Sequence, residues 1–324
     1  MRTPPNLPNF RIAVVGAGAI GCYYGAKLAY FGRDVHFLMR GDLAEIRRLG
    51  IRIRGKGENL RLAKVNHYAS TEEIGPCDLV VVAVKATSNS DLLALIPPLL
   101  HERTMLLTLQ NGFGNEEFLA ESFGAERVLG GLCFVCLNQT SRGEVELYDP
   151  GRVAIGEYNR WPQPRTHDVA REFRRCGVVC NVVENLALER WRKLVWNIPF
   201  NGLSVAAGGI DTEAILSDDS LRSECLALMD EVIMSANKCG FPLPTTAARE
   251  QIKRTELMGA YKPSTLVDFH AGRPLEVEAI WGEPLRRAAA AGASTPRLHE
   301  LYEKLKTMDS RRASETGGAG ARVR

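Results

Sequence analysis

A chain of 324 residues can bury a sizeable core and exceeds the usual single-domain length, so two domains are expected. Its 41 basic and 38 acidic side chains leave a formal net charge of +3, which excludes a strong electrostatic draw toward nucleic acid or an anionic membrane and favours a small-molecule partner. No apolar run approaches the roughly 20 residues of a membrane span, and the opening MRTPPNLPNF lacks the apolar segment of a signal peptide, so a soluble, cytoplasmic protein is expected.

From Arg11 the first half alternates short β-branched runs with helical patterns. RIAVVGAG, DVHFLMR, DLVVVAVK, TMLLTLQNG and RVLGGLCFVCL are strand candidates, and their alternation with helices predicts an α/β domain with a Rossmann-type, doubly wound parallel sheet. The uninterrupted VVVAV reads as a central strand covered on both faces. EVELYDPGRVAIGEY reads as a hairpin or edge pair turned at Asp149, Pro150 and Gly151. Beyond about Glu184 the β signal stops. Helical periodicity then runs over Leu186–Ala207, Leu221–Cys239, Thr245–Leu257 and Val277–Ala291, which predicts a C-terminal all-α domain. The expected limits are 1–184 for the first domain and 185–308 for the second, with 309–324 as a polar, Gly-rich, disordered tail.

Most of the eight cysteines lie in apolar segments, as small buried hydrophobes do in a reducing compartment. Cys133 and Cys136 form a C-x-x-C and Cys176 and Cys180 a C-x-x-x-C, which keeps a zinc site open as the lesser reading. Strand interior is the preferred one, and no metal is expected.

VVGAGAIG places Gly16, Gly18 and Gly21 directly after a strand and at the start of a helical pattern. Gly16 permits a tight turn, Gly18 lets backbone approach a pyrophosphate and Gly21 lets the helix pack close to the strand, so this segment, including Ala19 and Ile20, is the candidate dinucleotide site. An NAD-type loop carries an acidic residue at the end of the second strand, whereas DVHFLMR ends in Arg40. A guanidinium there matches a 2′-phosphate, so NADP(H) is favoured, the alternative being that Asp42 meets the ribose. Lys85 and Asn111 close two further strands at the sheet edge where ligands bind. Each alone also fits an ordinary cap or turn.

The segment LERWRKLVWNIPFNGLSVAAGG reads as a buried helix, yet Lys193, Asn197 and Asn201 fall at i, i+4 and i+8 in one row, with Ser204 close by and Pro199 disturbing the backbone. A snorkelling lysine and asparagines that satisfy freed carbonyls account for the row as well as a catalytic site does. Downstream, Ser264 and Asp268 precede a turn at 271–274. Glu276 then opens an otherwise apolar helix face, while Glu278 reads as a first-turn carboxylate.

Taken in order, VVGAGAIG, Arg40, VKA, QNGFGNEE, WRKLVWNIPFN, PSTLVD and GRPLEVE resemble the ketopantoate reductase (2-dehydropantoate 2-reductase) family from about Arg11 to Lys306. The resemblance implies a Rossmann domain, a helical domain and an active site between them, where NADPH reduces a 2-oxo acid, ketopantoate, to (R)-pantoate in pantothenate biosynthesis. It implies Lys193 as general acid, with Asn197, Asn201 and Ser264 holding the substrate and Asn111 touching both ligands. Glu276 matches a family residue that contacts cofactor or substrate and keeps Lys193 charged and oriented. Lys85 and Cys136 match positions that line the cofactor cleft. Two departures, Trp281 and Tyr261 where relatives carry asparagines, are expected on the substrate side and leave a bulkier 2-oxo acid open. β-Hydroxyacid dehydrogenases share the layout but carry a Gly-rich run before the lysine, where this chain has ALERWRK. A non-catalytic NADP sensor is disfavoured by the presence of Lys193 and Glu276. Family members differ in assembly, and a homodimer is the expectation here.

Overall fold

The computed structural model describes residues 10–39 and 43–319, with side chains described up to 312. It divides into two compact units, Met1–Gln110 with Asn115–Leu186, and Asn111–Gly114 with Ala187–Arg324.

The first unit holds one sheet. In chain order its strands are β1 (Arg11–Val15), β2 (Asp34–Leu38), β3 (Ile51–Gly55), β4 (Glu58–Leu62), β5 (Asn66–Tyr68), β6 (Leu79–Val82), β7 (Met105–Thr108), β8 (Val128–Ser141), β9 (Glu144–Glu157) and β10 (Cys180–Val182). They lie in the order β4-β3-β9-β8-β7-β6-β1-β2-β5, with β10 paired to β9. The run from β8 to β5 is parallel throughout. β6 reads LVVV and every residue of it is buried, as a strand with apolar cover on both faces requires. Helices α1 (Ala19–Tyr30), α2 (Ala44–Leu49), α3 (Thr71–Ile74), α4 (Leu92–Leu95), α5 (Asn115–Phe123) and α6 (Pro164–Arg175) complete the unit. The α/β reading of the sequence is met.

One sequence expectation is corrected. EVELYDPGRVAIGEY does not turn at Asp149–Gly151 but forms the single 14-residue strand β9, antiparallel to β8, and the chain reverses at residues 142–143 instead. The Asp149 carboxylate accepts from the Gly151 N–H at 3.3 Å, and the register shifts where Cys136 faces Asp149. The Asp-Pro-Gly segment is therefore absorbed as a bulge inside the ladder. Strands β3, β4, β5 and β10 go unread in the sequence because they are short or mix arginine and glutamate into the apolar alternation.

Where β9 meets α6, the Glu157 side chain is fully buried and accepts from both Nε and Nη2 of Arg165 (2.9 and 2.6 Å), from Thr166 Oγ1 (2.6 Å) and from Arg160 Nε (3.1 Å). Burial alone pushes this carboxyl up, but the hydrogen bonds from Arg165 and Thr166 and the charges of Arg165 and Arg160 outweigh it and hold the pKa below its usual value. A depressed folded-state pKa contributes stability that is present above the unfolded pKa and is lost as pH falls through the folded one. Glu157→Gln is therefore expected to cost about 2 kcal/mol at neutral pH, discounted because both arginines are partly exposed. Thermal melts should show the gap from wild type narrowing below about pH 4.

The second unit is helical: α7 (Leu186–Ala206), α8 (Thr212–Ser217), α9 (Asp219–Lys238), α10 (Ala247–Glu256), α11 (Ser264–His270), a π-helical turn at Glu278–Gly282, α12 (Glu283–Ala290) and α13 (Pro296–Ala319). Asp211 and Asp218 cap α8 and α9 by accepting from the N–H groups of Ala214 and Leu221, each at 2.9 Å. Trp191, Val195 and Ile198 of α7 pack with Leu228, Met229 and Val232 of α9 and with Leu298 and Leu305 of α13. α13 extends to Ala319, so the backbone is helical over 309–319, where the sequence reading expects a disordered tail. The reason is tertiary anchoring of an already propagating helix. The Asp309 carboxylate accepts from the Leu275 N–H at 3.1 Å, and Arg312 donates to the Phe269 carbonyl at 2.7 Å while covering its ring. Among the described residues, no helix is long and apolar enough to cross a membrane.

Candidate active site

Two sets of candidate residues stand out, one in each unit. In the first unit β1 runs into the glycine turn and α1. Gly16 has φ +107°, and a Cβ on it would lie 2.4 Å from the Val84 amide nitrogen. A Cβ on Gly21 would lie 1.9 Å from the Gly16 carbonyl oxygen, so the start of α1 rests on the turn itself. Gly18 differs from both, because a Cβ there would meet nothing within 4 Å. The open space lies at the N-terminus of a 12-residue helix with no side-chain cap and no acidic residue in its first turn. Helix geometry leaves the N–H groups of Ala19, Ile20 and Gly21 without intrahelical acceptors. Bare backbone, aligned N–H donors and no competing carboxylate fit a pyrophosphate.

A cavity of about 420 Å³ continues from this turn past Cys22, Leu38 and Met39 to Leu43 and Ile46. Burial pushes the Cys22 thiol up to about 12, so it stays neutral beside the turn and donates to the Ala17 carbonyl at 3.2 Å. Arg40 and its competitor Asp42 lie outside the described residues. Lys85 is exposed and stands at the start of a short 3₁₀ turn, Ala86–Asp91, beyond β6. Cys136 is half-buried in β8, opposite the bulge in β9. All eight cysteines are thiols, and no group of three or more His, Cys, Asp or Glu side chains placed to hold a metal occurs among the described residues.

Sequence reading misses a polar network at the ends of β6 and β7. Thr108 Oγ1 donates to Gln110 Oε1 (2.9 Å), Gln110 Nε2 to Asn89 Oδ1 (2.7 Å) and Asn89 Nδ2 to Asn115 Oδ1 (3.0 Å). Thr108, Gln110 and Asn115 are buried, so the chain is held by hydrogen bonds on either side of the segment 111–114. Only the polar letters flanking that segment hint at it.

In the second unit, Lys193 Nζ donates to Asn111 Oδ1 at 2.7 Å across 82 residues of sequence. The contact is held from behind. The Phe113 N–H donates to the Ala279 carbonyl at 2.9 Å, and its ring packs against Trp191, with centroids 5.1 Å apart, and under the Arg287 guanidinium. Gly112 has φ +82°, and a Cβ on it would lie 2.2 Å from that same Ala279 oxygen, so only glycine lets this loop seat.

Along α7 the row passes from half-buried Lys193 to buried Asn197, Asn201 and Ser204. Asn201 Oδ1 accepts from the Thr265 N–H (3.1 Å) and from Ser264 Oγ (3.4 Å), so it caps α11 and brings Ser264 to the row. Its Nδ2 is the group left to donate toward a ligand. Glu276 is 6% exposed and lies two residues before the π-helical segment, a backbone irregularity common at functional sites.

Trp281 is not where sequence reading expects it. The residue is fully buried in the helical core, stacks over Gly202 and donates from Nε1 to the Ile198 carbonyl at 3.0 Å, so it braces α7 beside Pro199 instead of facing substrate. Tyr261 is half-buried, and its ring lies 6.2 Å from that of Trp196.

A glycine turn bare of side chains at a helix N-terminus, joined in one chain to a helical unit that pairs a lysine with an asparagine amide, defines a dinucleotide-dependent oxidoreductase. Comparison with known proteins narrows the class. The family model described as "Ketopantoate reductase PanE/ApbA" matches residues 12–160, and the model of its C-terminal part matches 185–309. A 2-dehydropantoate 2-reductase of Nostoc sp. is 38% identical over 306 residues, covering 93% of this chain and 96% of its own. The crystal structure of 2-dehydropantoate 2-reductase from Geobacter metallireducens has a TM-score of 0.89 at 43% identity and covers 92% of this chain and 99% of its own. That from Methylococcus capsulatus has a TM-score of 0.84 at 32% identity, with 93% and 97% covered. The chain belongs to the ketopantoate reductase family of NADP-dependent oxidoreductases.

Proposed function

We propose that this chain reduces ketopantoate to (R)-pantoate with NADPH. The observation that carries the reading is the 2.7 Å hydrogen bond from Lys193 to Asn111 at the head of the row that continues through Asn197 and Asn201, in a chain matched by both parts of the family model.

NADPH supplies a hydride to the carbonyl carbon. The residues of the chain do the rest. Gly16, Gly18, Ala19, Ile20 and Gly21 receive the pyrophosphate, Arg40 the 2′-phosphate, and Lys85 and Cys136 line the cofactor's path. As charge grows on the carbonyl oxygen, Lys193 Nζ stabilises it and delivers the proton that completes the alcohol, then recovers one from solvent. Asn111 aims Lys193 by accepting one of its N–H donors. Glu276 contacts cofactor or substrate and helps to orient the ammonium. Asn197, Asn201 Nδ2 and Ser264 hold the carboxylate and the terminal hydroxyl. Eight thiols and no disulfide suit the reducing conditions of the cytoplasm.

The test is to incubate purified protein with NADPH and ketopantoate and resolve the product on a chiral column. One (R)-pantoate per NADPH consumed is expected. NADPH binding without pantoate formation would refute the reading. A bulkier 2-oxo acid is the second reading, and the neighbouring rings of Trp196 and Tyr261 are the feature that favours it.

A further inference from the structure

The turn between β8 and β9 is not used by the mechanism above, yet it forms one wall of the cofactor cavity. Ser141, Arg142 and Gly143 line the cavity together with Leu38 and Met39 at the end of β2 and with Leu43 and Ile46 before and within α2. In sheets of this type the end of the second strand lies beside the adenosine ribose, so the group that distinguishes NADPH from NADH falls in this part of the cavity. We propose that Arg142 is a specificity-determining residue that holds the 2′-phosphate of the cofactor, an inference that rests on the NADPH reading.

Four contacts hold the turn in place. Gly143 has φ +79°, and a Cβ on it would come 2.4 Å from Ile46 Cδ1, so the turn lies directly on α2. The Gly143 carbonyl accepts from the Arg52 N–H at 2.7 Å. Ser141 Oγ donates to Glu144 Oε2 at 3.2 Å, and Glu144 pairs with the Arg52 guanidinium at 3.1 Å. On the strand before the turn, Gln139 Nε2 donates to the Ala17 carbonyl of the glycine loop at 3.2 Å, which ties the hairpin to the pyrophosphate end of the same cavity. The backbone that carries Arg142 is thereby fixed against both ends of the adenosine site. Its side chain is exposed at the rim, where a guanidinium can take a phosphate from solvent without being desolvated itself. A 2′-phosphate carries close to two negative charges at neutral pH, more than one guanidinium balances, so a second cation from the opposite wall has a charge to neutralise. NADH offers only a hydroxyl there and gains little from the same side chain.

The test compares wild type, Arg142→Ala and Arg142→Lys as full-length protein, with Kd and KM measured for NADPH and for NADH. Arg142→Ala is expected to weaken NADPH about tenfold, the loss of one exposed charge-assisted phosphate contact, while NADH changes by less than about twofold. Arg142→Lys is expected to fall between, keeping the charge but losing the planar fork. Equal weakening of both cofactors would assign Arg142 a merely structural role and overturn the proposal, as would an unchanged NADPH constant. Wild-type protein that binds NADH as tightly as NADPH would remove the NADPH reading itself, and the proposal with it. A wild-type preference retained by Arg142→Ala would remove the proposal alone.

Discussion

Lys193→Ala is expected to lower kcat for ketopantoate by about 10³-fold while NADPH still binds, because the variant lacks the group that carries charge and proton to the substrate oxygen. The hydrogen bond to Asn111 sharpens this expectation. Removing the ammonium also deletes the hydrogen bond to Asn111 Oδ1, so a stability loss of about 1 kcal/mol should accompany the kinetic one. Lys193→Arg keeps a positive charge but is not expected to restore the rate, since a guanidinium holds its proton at any working pH. Stopped-flow single turnovers with saturating NADPH separate the chemical step from product release. A Lys193→Ala rate within tenfold of wild type would mean that another group protonates the product.

The glycine turn supports the second large effect, and its three glycines are expected to behave differently. A Cβ on Gly21 would lie 1.9 Å from the Gly16 carbonyl oxygen, which is backbone and has nowhere to move. Gly21→Ala should therefore lower the melting temperature and abolish NADPH binding together. Gly18 has φ −77° and ψ −166°, an extended conformation that a β-branched residue adopts readily, and the space beside it is open. Gly18→Val should leave the melting temperature within about 3 °C of wild type, allowing for a weaker helix cap. Its NADPH affinity should nevertheless fall about 100-fold, because the isopropyl group fills the volume the pyrophosphate requires and displaces it from the helix N-terminus. Differential scanning fluorimetry with and without NADPH reads both quantities from one sample. Equal destabilisation by the two substitutions would show that Gly18 serves the fold and not the ligand.

Much of the architecture is legible in the sequence because it is written in local patterns. The glycine turn follows a strand that is apolar after Arg11 and opens a helix, and the long helices of the second unit repeat their apolar residues at the helical period over several turns. What escapes is decided by partners distant in sequence. The pairing of Ile53 with Val145 makes β3 a strand, and nothing near Ile53 announces it. Asp-Pro-Gly at 149–151 is the stronger turn signal, yet the chain reverses at 142–143, since a 14-residue partner strand, β8, accommodates the former as a bulge.

The candidate site divides along the same line. The Lys193, Asn197 and Asn201 row is visible from spacing alone. That Asn111 meets Lys193 is not, because it depends on Phe113 leaving the β7 connection to enter the helical core. Trp281 is misjudged for a related reason. A large aromatic where the resemblance implies an asparagine suggests a changed pocket, but the indole N–H finds the Ile198 carbonyl and the ring packs on Gly202, which makes Trp281 a core residue. Composition misleads at the C-terminal tail, where polar residues continue a helix that Asp309 and Arg312 tie down.

We propose that the buried amides of Asn197 and Asn201 along α7 recognise the hydroxyl and carboxylate of ketopantoate, and kcat/KM for ketopantoate against trimethylpyruvate, which lacks only that hydroxyl, tests it. A site built to hydrogen-bond the hydroxyl leaves its own polar groups unpaired when the hydroxyl is missing, so ketopantoate should be favoured by about 100-fold or more. Equal values for the two acids, or a higher value for phenylglyoxylate than for either, would show that the hydroxyl is not recognised and transfer the assignment to a larger 2-oxo acid.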